Sequence, residues 1–169
     1  MGGMRRAVLL LLLPLLLLGA CRKAPLPEPV RLSLPRAVDG RPYSIHERRG
    51  EATLVYFFAT WCVLCQAMDP FVAEAARLGS REGIEVIGIA LDVEGQKIVD
   101  PWVLGTEPPY PVLIGGAAVA EGRSPFGAIP ELPAVMFLDG EGRPAAVLTG
   151  VAPTELLLER AREVRGRTR

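Results

Sequence analysis

The chain has 169 residues, half of them hydrophobic, with 19 basic and 19 acidic side chains and one histidine. That length suits one domain with an extension. A formal net charge of zero gives no support to a nucleic-acid-binding surface.

The first twenty residues read as a targeting segment. Arg5-Arg6 precede an apolar run from Ala7 to Leu18, interrupted by Pro14. About 12 residues is short for a bilayer span and suits the apolar region of a signal peptide. The run closes on Leu18-Gly19-Ala20-Cys21, which resembles a bacterial lipoprotein box, where the cysteine is lipidated and becomes the new N-terminus. Residues 1–20 are then a lipoprotein signal peptide and Cys21 the lipidation site. The alternative is an ordinary secretory leader cut near Ala20, with Cys21 a spare thiol. Lipid on Cys21 also accounts for the odd cysteine count, because Cys62 and Cys65 then remain as one pair in an oxidising compartment.

Residues 21–29 carry three prolines and mixed charges, as expected of an extended tether. Val30 to Leu34 alternates with period two and predicts a short strand. A turn at Asp39-Gly40-Arg41-Pro42 leads to a second extended piece, Tyr43 to Ile45. Arg48 to Glu51 turns the chain into a run from Thr53 to Ala59 that is apolar on both faces, the pattern of a central strand covered by helices. A helix follows over Gln66 to Leu78, with a kink expected at Pro70. Its apolar positions are Phe71, Ala75 and Leu78, and Gly79 is the expected C-cap. Ile84 to Leu91 predicts a second buried strand, parallel to the first in a right-handed βαβ unit. Gln96 to Leu104 predicts a weaker helix broken near Pro101. Val112 to Ile114 reads as a short strand or extended segment, and Ala117 to Glu121 as a helical turn. Ala134–Asp139 and Pro144–Thr149, joined by Gly140-Glu141-Gly142, predict an antiparallel hairpin. A last helix opens at Pro153-Thr154-Glu155, with a face of Leu156, Leu157, Arg160, Ala161 and Val164.

The chemistry-bearing stretch is Ala59-Thr60-Trp61-Cys62-Val63-Leu64-Cys65. Its two cysteines lie three apart at a strand-to-helix junction. The first thiol meets the free N–H groups and positive end of the helix, which favour a thiolate. The second lies one turn on, within disulfide reach. A zinc site needs two further ligands, and only His46 and Cys21 are on offer; no metal is expected and His46 is assigned no role. An inert structural disulfide is disfavoured by the exposed junction.

The order of elements is the thioredoxin arrangement, and the motifs resemble those of the TlpA/ResA-like thioredoxin family, membrane-tethered thiol–disulfide oxidoreductases. Phe57 to Cys65 resembles the family's FWATWCxPC, and Pro70 matches the proline five residues after the second cysteine. Ile129-Pro130-Glu131-Leu132-Pro133-Ala134 through Asp139 resembles the family's proline-containing strand, and Asp139-Gly140-Glu141-Gly142-Arg143 its hairpin turn. The similarity runs over roughly residues 30–165. It implies an α/β, thioredoxin-like fold, with a central mixed β-sheet flanked by helices and an N-terminal β extension, ending in a tail at 166–169. It implies Cys62 and Cys65 as the catalytic pair. Pro133 would be a cis proline beside them, with the Leu132 backbone free to pair with an incoming peptide; a trans proline starting an edge strand is the alternative. Trp61 would shape the docking surface. The resemblance calls for no cofactor. Its partners are proteins with disulfides, apocytochrome c among them, and a membrane thiol reductase as electron donor, with the membrane reached through the lipid anchor. A monomer is expected. Running in reverse as a thiol oxidant, chaperoning Cu(I) through the two cysteines, and non-catalytic binding are the other readings.

The chain departs from the pattern in three ways. Val63-Leu64 between the cysteines brings neither proline nor a cationic side chain. Tyr56 stands six residues before Cys62, where thioredoxin has a buried Asp. Met68 stands three residues after Cys65, where many ResA-like chains carry Glu. Asp69 follows Met68 but turns about 100° away on a helix, so the family's proton-handling acid does not carry over; Asp69 or water is left to substitute for it, and otherwise Asp69 and Glu74 are expected to be solvated helix charges.

Overall fold

The computed structural model describes residues 27–45 and 52–166. The leader, Cys21, His46, the turn at Arg48 to Glu51 and the last residues of the tail lie outside the described residues. Two short strands, β1 (Ser33–Pro35) and β2 (Pro42–Ser44), pair antiparallel. The sheet that organises the domain is built from β3 (Ala52–Phe58), β4 (Ile84–Ala90), β5 (Val112–Ile114), β6 (Ala134–Leu138) and β7 (Pro144–Thr149), in the order β5-β4-β3-β6-β7. β3 pairs parallel with β4, and β4 with β5; β6 and β7 run antiparallel to their neighbours. The helices are α1 (Val63–Gly79), α2 (Gln96–Thr106), α3 (Gly116–Ala120) and α4 (Thr154–Arg165). No helix among the described residues is long and apolar enough to cross a membrane.

All seven residues of β3 are buried, because both faces of the central strand carry core. Leu54, Tyr56 and Phe58 face a cluster with Met68, Val72 and Ala75 of α1, Leu157, Leu158 and Ala161 of α4, and Val99 of α2. Val55 and Phe57 face the opposite cluster with Ile87, Ile89, Val119 and Phe126. Val30 and Ile45 are buried in that second cluster, so the N-terminal strands close the lower face. Beyond β1 the chain bridges Arg36 to Leu113 and donates Ala37 N–H to Val112 O, covering the β5 edge that would otherwise be open for pairing. The hairpin turn between β6 and β7 is held by Asp139, whose Oδ1 accepts the N–H groups of Glu141 and Arg143.

Four local expectations are corrected. Gly79 is not the C-cap of α1. It is right-handed and buried, and the chain continues through a 3-10 turn, Ser80–Glu82, to Gly83, whose φ of 68° ends the element. The requirement at Gly79 is space, since a Cβ there would lie 3.2 Å from Ile84 Cβ and 3.3 Å from Leu158 Cδ2. The buried stripe of α1 is Cys65, Met68, Val72, Ala75, Ala76 and Gly79. Leu78 is exposed, so the apolar face is rotated from the one expected. α2 runs unbroken through Pro101: a single proline forfeits one backbone hydrogen bond, and Val99, Trp102 and Val103 anchor the helix on the core. On α4, Leu158 is buried while Arg160 is exposed and pairs with Glu163, because a charged head one turn from the core reaches water more cheaply than a partner inside.

Candidate active site

The site forms where β3 ends and α1 begins. Ala59 O accepts the Cys62 N–H in a tight turn, and Cys62 O takes the first helical bond from Gln66 N. Cys62 is the N-cap of α1, and its Sγ accepts the Cys65 N–H at 3.1 Å. A thiolate at that atom would meet one directed donor and the positive end of a 17-residue helix. The first turn of α1 offers no cation, Val63 and Leu64 being its opening residues. Cys62 and Cys65 are joined as a disulfide, with Cα atoms 5.1 Å apart. Cys65 lies beneath at 1% exposure and Cys62 nearer the rim at 7%. The rim is apolar: Trp61 is 70% exposed, Val63 75% and Leu64 55%.

The Leu132–Pro133 peptide is cis. Ala134 pairs with Phe57, so Pro133 lies at the end of the sheet from which the cysteines emerge. Pro133 is buried and Leu132 half-buried against the core cluster that contains both cysteines. The loop after β7 ties these parts together: Gly150 N–H donates to Pro133 O at 2.9 Å, and Ala152 N–H to Met68 Sδ at 3.2 Å. Trp61, Leu132, Pro133, Cys62 and Cys65 thus belong to one end of the molecule. Trp102 stacks on Phe58, ring centroids 4.8 Å apart, as a core residue. Cys21 lies outside the described residues.

Two arrangements were not expected. Tyr56, fully buried on β3, donates its hydroxyl to Cys65 O at 3.0 Å and Asp69 Oδ1 at 2.9 Å. Asp69 is therefore a half-buried, hydrogen-bonded group and not a solvated charge. Burial raises its carboxyl above the usual carboxylate range, and the Tyr56 hydrogen bond opposes the rise. Burial first, and then the Asp69 charge, push the Tyr56 phenol far up, and the same two causes raise Tyr110; both stay neutral. Glu74, exposed, accepts the Thr154 hydroxyl at 3.1 Å. The second arrangement is a clamp. Leu91 N–H donates to Phe58 O as β4 leaves the sheet. The next residue, Asp92, is 1% exposed. Its carboxylate accepts the Thr60 N–H at 3.1 and 3.2 Å and the Thr60 hydroxyl at 2.6 Å. Thr60 O in turn accepts Gln66 Nε2 at 3.2 Å. The turn before Cys62 is thereby held from both the sheet and the helix.

A helix-capping cysteine bonded to a buried second cysteine, on a thioredoxin-like sheet beside a cis proline, defines a thiol–disulfide oxidoreductase. Residues 23–143 match the Redoxin family, and the chain belongs to that family. Among curated proteins it is 25% identical over 129 residues to the thiol-disulfide oxidoreductase ResA of Bacillus thuringiensis subsp. konkukian, covering 75% of this chain and 71% of that one. Among solved structures it resembles a thiol:disulfide interchange protein of the thioredoxin family from Chlorobium tepidum TLS, at 25% identity and a TM-score of 0.67, over 82% of this chain and 98% of that one. It also shares its fold with an exposed lipoprotein thioredoxin, Etrx1, of Streptococcus pneumoniae, at 21% identity and a TM-score of 0.68, over 79% and 98% of the two chains.

Proposed function

We propose that this oxidoreductase reduces disulfides of secreted proteins on the outer side of a bacterial membrane, held there by lipid on Cys21. Cys62 is the attacking thiol and Cys65 the resolving one. The Cys62 thiolate attacks a substrate disulfide, and one substrate sulfur leaves with the electron pair of the broken bond. Cys65 then attacks Cys62 Sγ, the mixed disulfide breaks, and the second substrate sulfur leaves. The substrate ends reduced and the Cys62–Cys65 pair oxidised. A membrane thiol reductase restores the dithiol. Trp61 and the half-buried Leu132 beside cis Pro133 supply the docking surface, where Leu132 offers backbone to an extended peptide.

The observation that carries the division of labour is the placement of Cys62 at the helix cap on an exposed rim with Cys65 buried below it. In a Cys65→Ala chain, mixed disulfides with envelope proteins should accumulate through Cys62, and Cys62→Ala should abolish turnover. A Cys65→Ala chain that traps nothing, with Cys62→Ala retaining full activity, removes this reading.

The direction follows from the same cap. A strong oxidant needs a reduced form stabilised as thiolate, and Cys62 has one N–H and the helix end with no cation in the first turn. A moderately to strongly reducing couple is expected, and a measured potential near about −120 mV would reverse the assignment. The anchor is supported by the Leu18-Gly19-Ala20-Cys21 pattern and by the lipoprotein fold neighbour. The mass of the mature N-terminus checks it, with a free Cys21 thiol the contrary result. Apocytochrome c is the substrate class that the resemblance of the motifs to the TlpA/ResA-like family implies.

A further inference from the structure

The dithiol exchange makes no use of Met68, which is fully buried three residues after Cys65 on the same stripe of α1. A thioether so placed is most often packing alone. Here its sulfur also accepts a hydrogen bond, from the Ala152 N–H at 3.2 Å. Ala152 belongs to the segment between β7 and α4, a strap tied inward at every second residue. Gly150 N–H meets Pro133 O at 2.9 Å, and Thr154 Oγ1 meets Phe71 O at 3.1 Å. Ala152 and Thr154 are buried, while Val151 and Pro153 between and beside them are exposed. We propose that Met68 is a positioning residue for the substrate: its thioether fixes the strap to α1 and, through Gly150, holds the Leu132–Pro133 backbone in register for an incoming peptide. The inference rests on the dithiol exchange and on the docking role of Leu132 described above.

The Leu132 N–H and carbonyl make no hydrogen bond among the described residues, so both are open to a peptide strand. Pro133 has no N–H, and Gly150 takes its carbonyl. The Leu132 edge is thus set from one side by β6, which pairs with β3 from Ala134 onward, and from the other by Gly150. Gly150 has a φ of 79°, and a glycine there has wide backbone freedom. The bond that fixes its direction is the next one inward, from Ala152 to Met68. Ala152 is 6% exposed, and a buried N–H left without an acceptor is costly. Leucine matches methionine closely in volume and offers no acceptor. A Met68→Leu chain therefore keeps its core filled and has to shift the strap to give the Ala152 N–H a partner.

A matched pair of reagents reads this shift. One is a short unstructured peptide whose single cysteine carries a thiopyridyl group. The other is dithiodipyridine, with the same leaving group and no peptide backbone. In each case the Cys62 thiolate bonds to one sulfur of the disulfide, and thiopyridone leaves with the electron pair of the broken bond. Its initial release from reduced full-length chain, carrying Cys21→Ser throughout, gives the rate of capture.

Met68→Leu should lower the ratio of peptide to dithiodipyridine capture by about threefold or more, with dithiodipyridine capture itself within about twofold of the parent. A general loosening of the fold would slow both reagents together and leave the ratio alone. If thermal melts show that Met68→Leu is not folded, Thr154→Val decides, since it frees the far end of the strap and should lower the same ratio by about twofold. A ratio within about 1.5-fold of the parent's in the folded variant, whether both rates hold or both fall, overturns the proposal. A parent whose ratio equals that of free cysteine in solution has no peptide docking at Leu132, and a Cys62→Ala chain that captures as fast as the parent has no dithiol exchange. Either result removes the underlying reading and is distinguishable from a failure at Met68.

Discussion

Asp92 should be among the most costly polar residues to remove. Its carboxylate is buried and takes two donors from one residue, the Thr60 hydroxyl at 2.6 Å and the Thr60 N–H shared between its oxygens. Hydrogen bonds to a charged group contribute about 1.5–3 kcal/mol each. Thr60 is only half-buried, so water recovers part of the loss, and Asp92→Ala should cost about 2–4 kcal/mol. Asp92→Asn keeps an acceptor for one donor and should cost about half of that. Thr60→Val removes the hydroxyl and leaves the N–H bond, so it should cost about 1–2 kcal/mol. Urea unfolding of the oxidised chain, at equal m-values, measures all three. The Asp92→Ala and Thr60→Val pair should be non-additive, since both remove one shared bond. An Asp92→Ala cost below about 0.5 kcal/mol, or full additivity with Thr60→Val, would refute the clamp. The loosened turn should also slow capture of a substrate disulfide by Cys62, because Thr60 and Cys62 share that turn.

Two further substitutions probe packing and charge. Gly88 pairs with Tyr56 across the sheet, and a Cβ there would lie 3.0 Å from the Tyr110 ring and 3.3 Å from that of Phe58; Gly88→Ala should destabilise by about 1–3 kcal/mol in a urea melt, and a neutral result would mean that Tyr110 can swing aside. Asp69 has its carboxyl raised in the folded state, so its contribution is fully present below the unfolded pKa and is lost as pH rises through the folded value. Asp69→Asn should therefore be more stable than the parent at neutral pH, with the gain fading in acid. A thermal shift series across pH reads this directly, and a variant less stable at neutral pH would contradict the burial of that carboxylate.

The sheet, the hairpin and the redox helix are legible in the sequence because each rests on local pattern. Ala52–Phe58 and Ile84–Ala90 are predominantly apolar, Thr53 and Glu85 being the exceptions, and Asp139 to Gly142 has the residues that its turn demands. The cysteine pair is legible for the same reason, its spacing of three being a property of the helix cap. What the sequence hides is set by contacts at long separation. Asp69 meets a tyrosine 13 positions away and Asp92 a threonine 32 positions away, and neither spacing has a motif. The phase of α1 is hidden too. Phe71 and Leu78 are larger than Ala76 and Gly79, yet the small residues are the buried ones, because Leu158 and Ile84 press against Gly79. A moment drawn from side-chain hydrophobicity cannot see a helix chosen for closeness of approach. Tyr56 is readable as a missing acid, but only the fold shows that its hydroxyl meets Asp69 Oδ1 and the Cys65 carbonyl.

The apolar filling between the cysteines gives the last test. Val63 and Leu64 are 75% and 55% exposed, so neither is retained for packing, and charge can be introduced at Leu64 without a cavity. A lysine there would place a cation in the first turn of α1 beside the thiolate capped by Cys65 N–H. A charge at an exposed helix end contributes about 0.3–1 kcal/mol, and 30 mV corresponds to about 1.4 kcal/mol for a two-electron couple. Leu64→Lys should therefore raise the potential of the Cys62–Cys65 pair by about 6–20 mV and lower the pKa of Cys62. The disulfide form has no charge to stabilise, so the effect acts on the reduced state alone. A glutathione redox titration reads the potential, and repeating it in high salt should shrink the shift. A potential that falls, or that rises with no change in Cys62 ionisation, would mean that the reduced state is held by something other than the helix cap. In that event the reducing direction argued from the cap would have lost its physical ground.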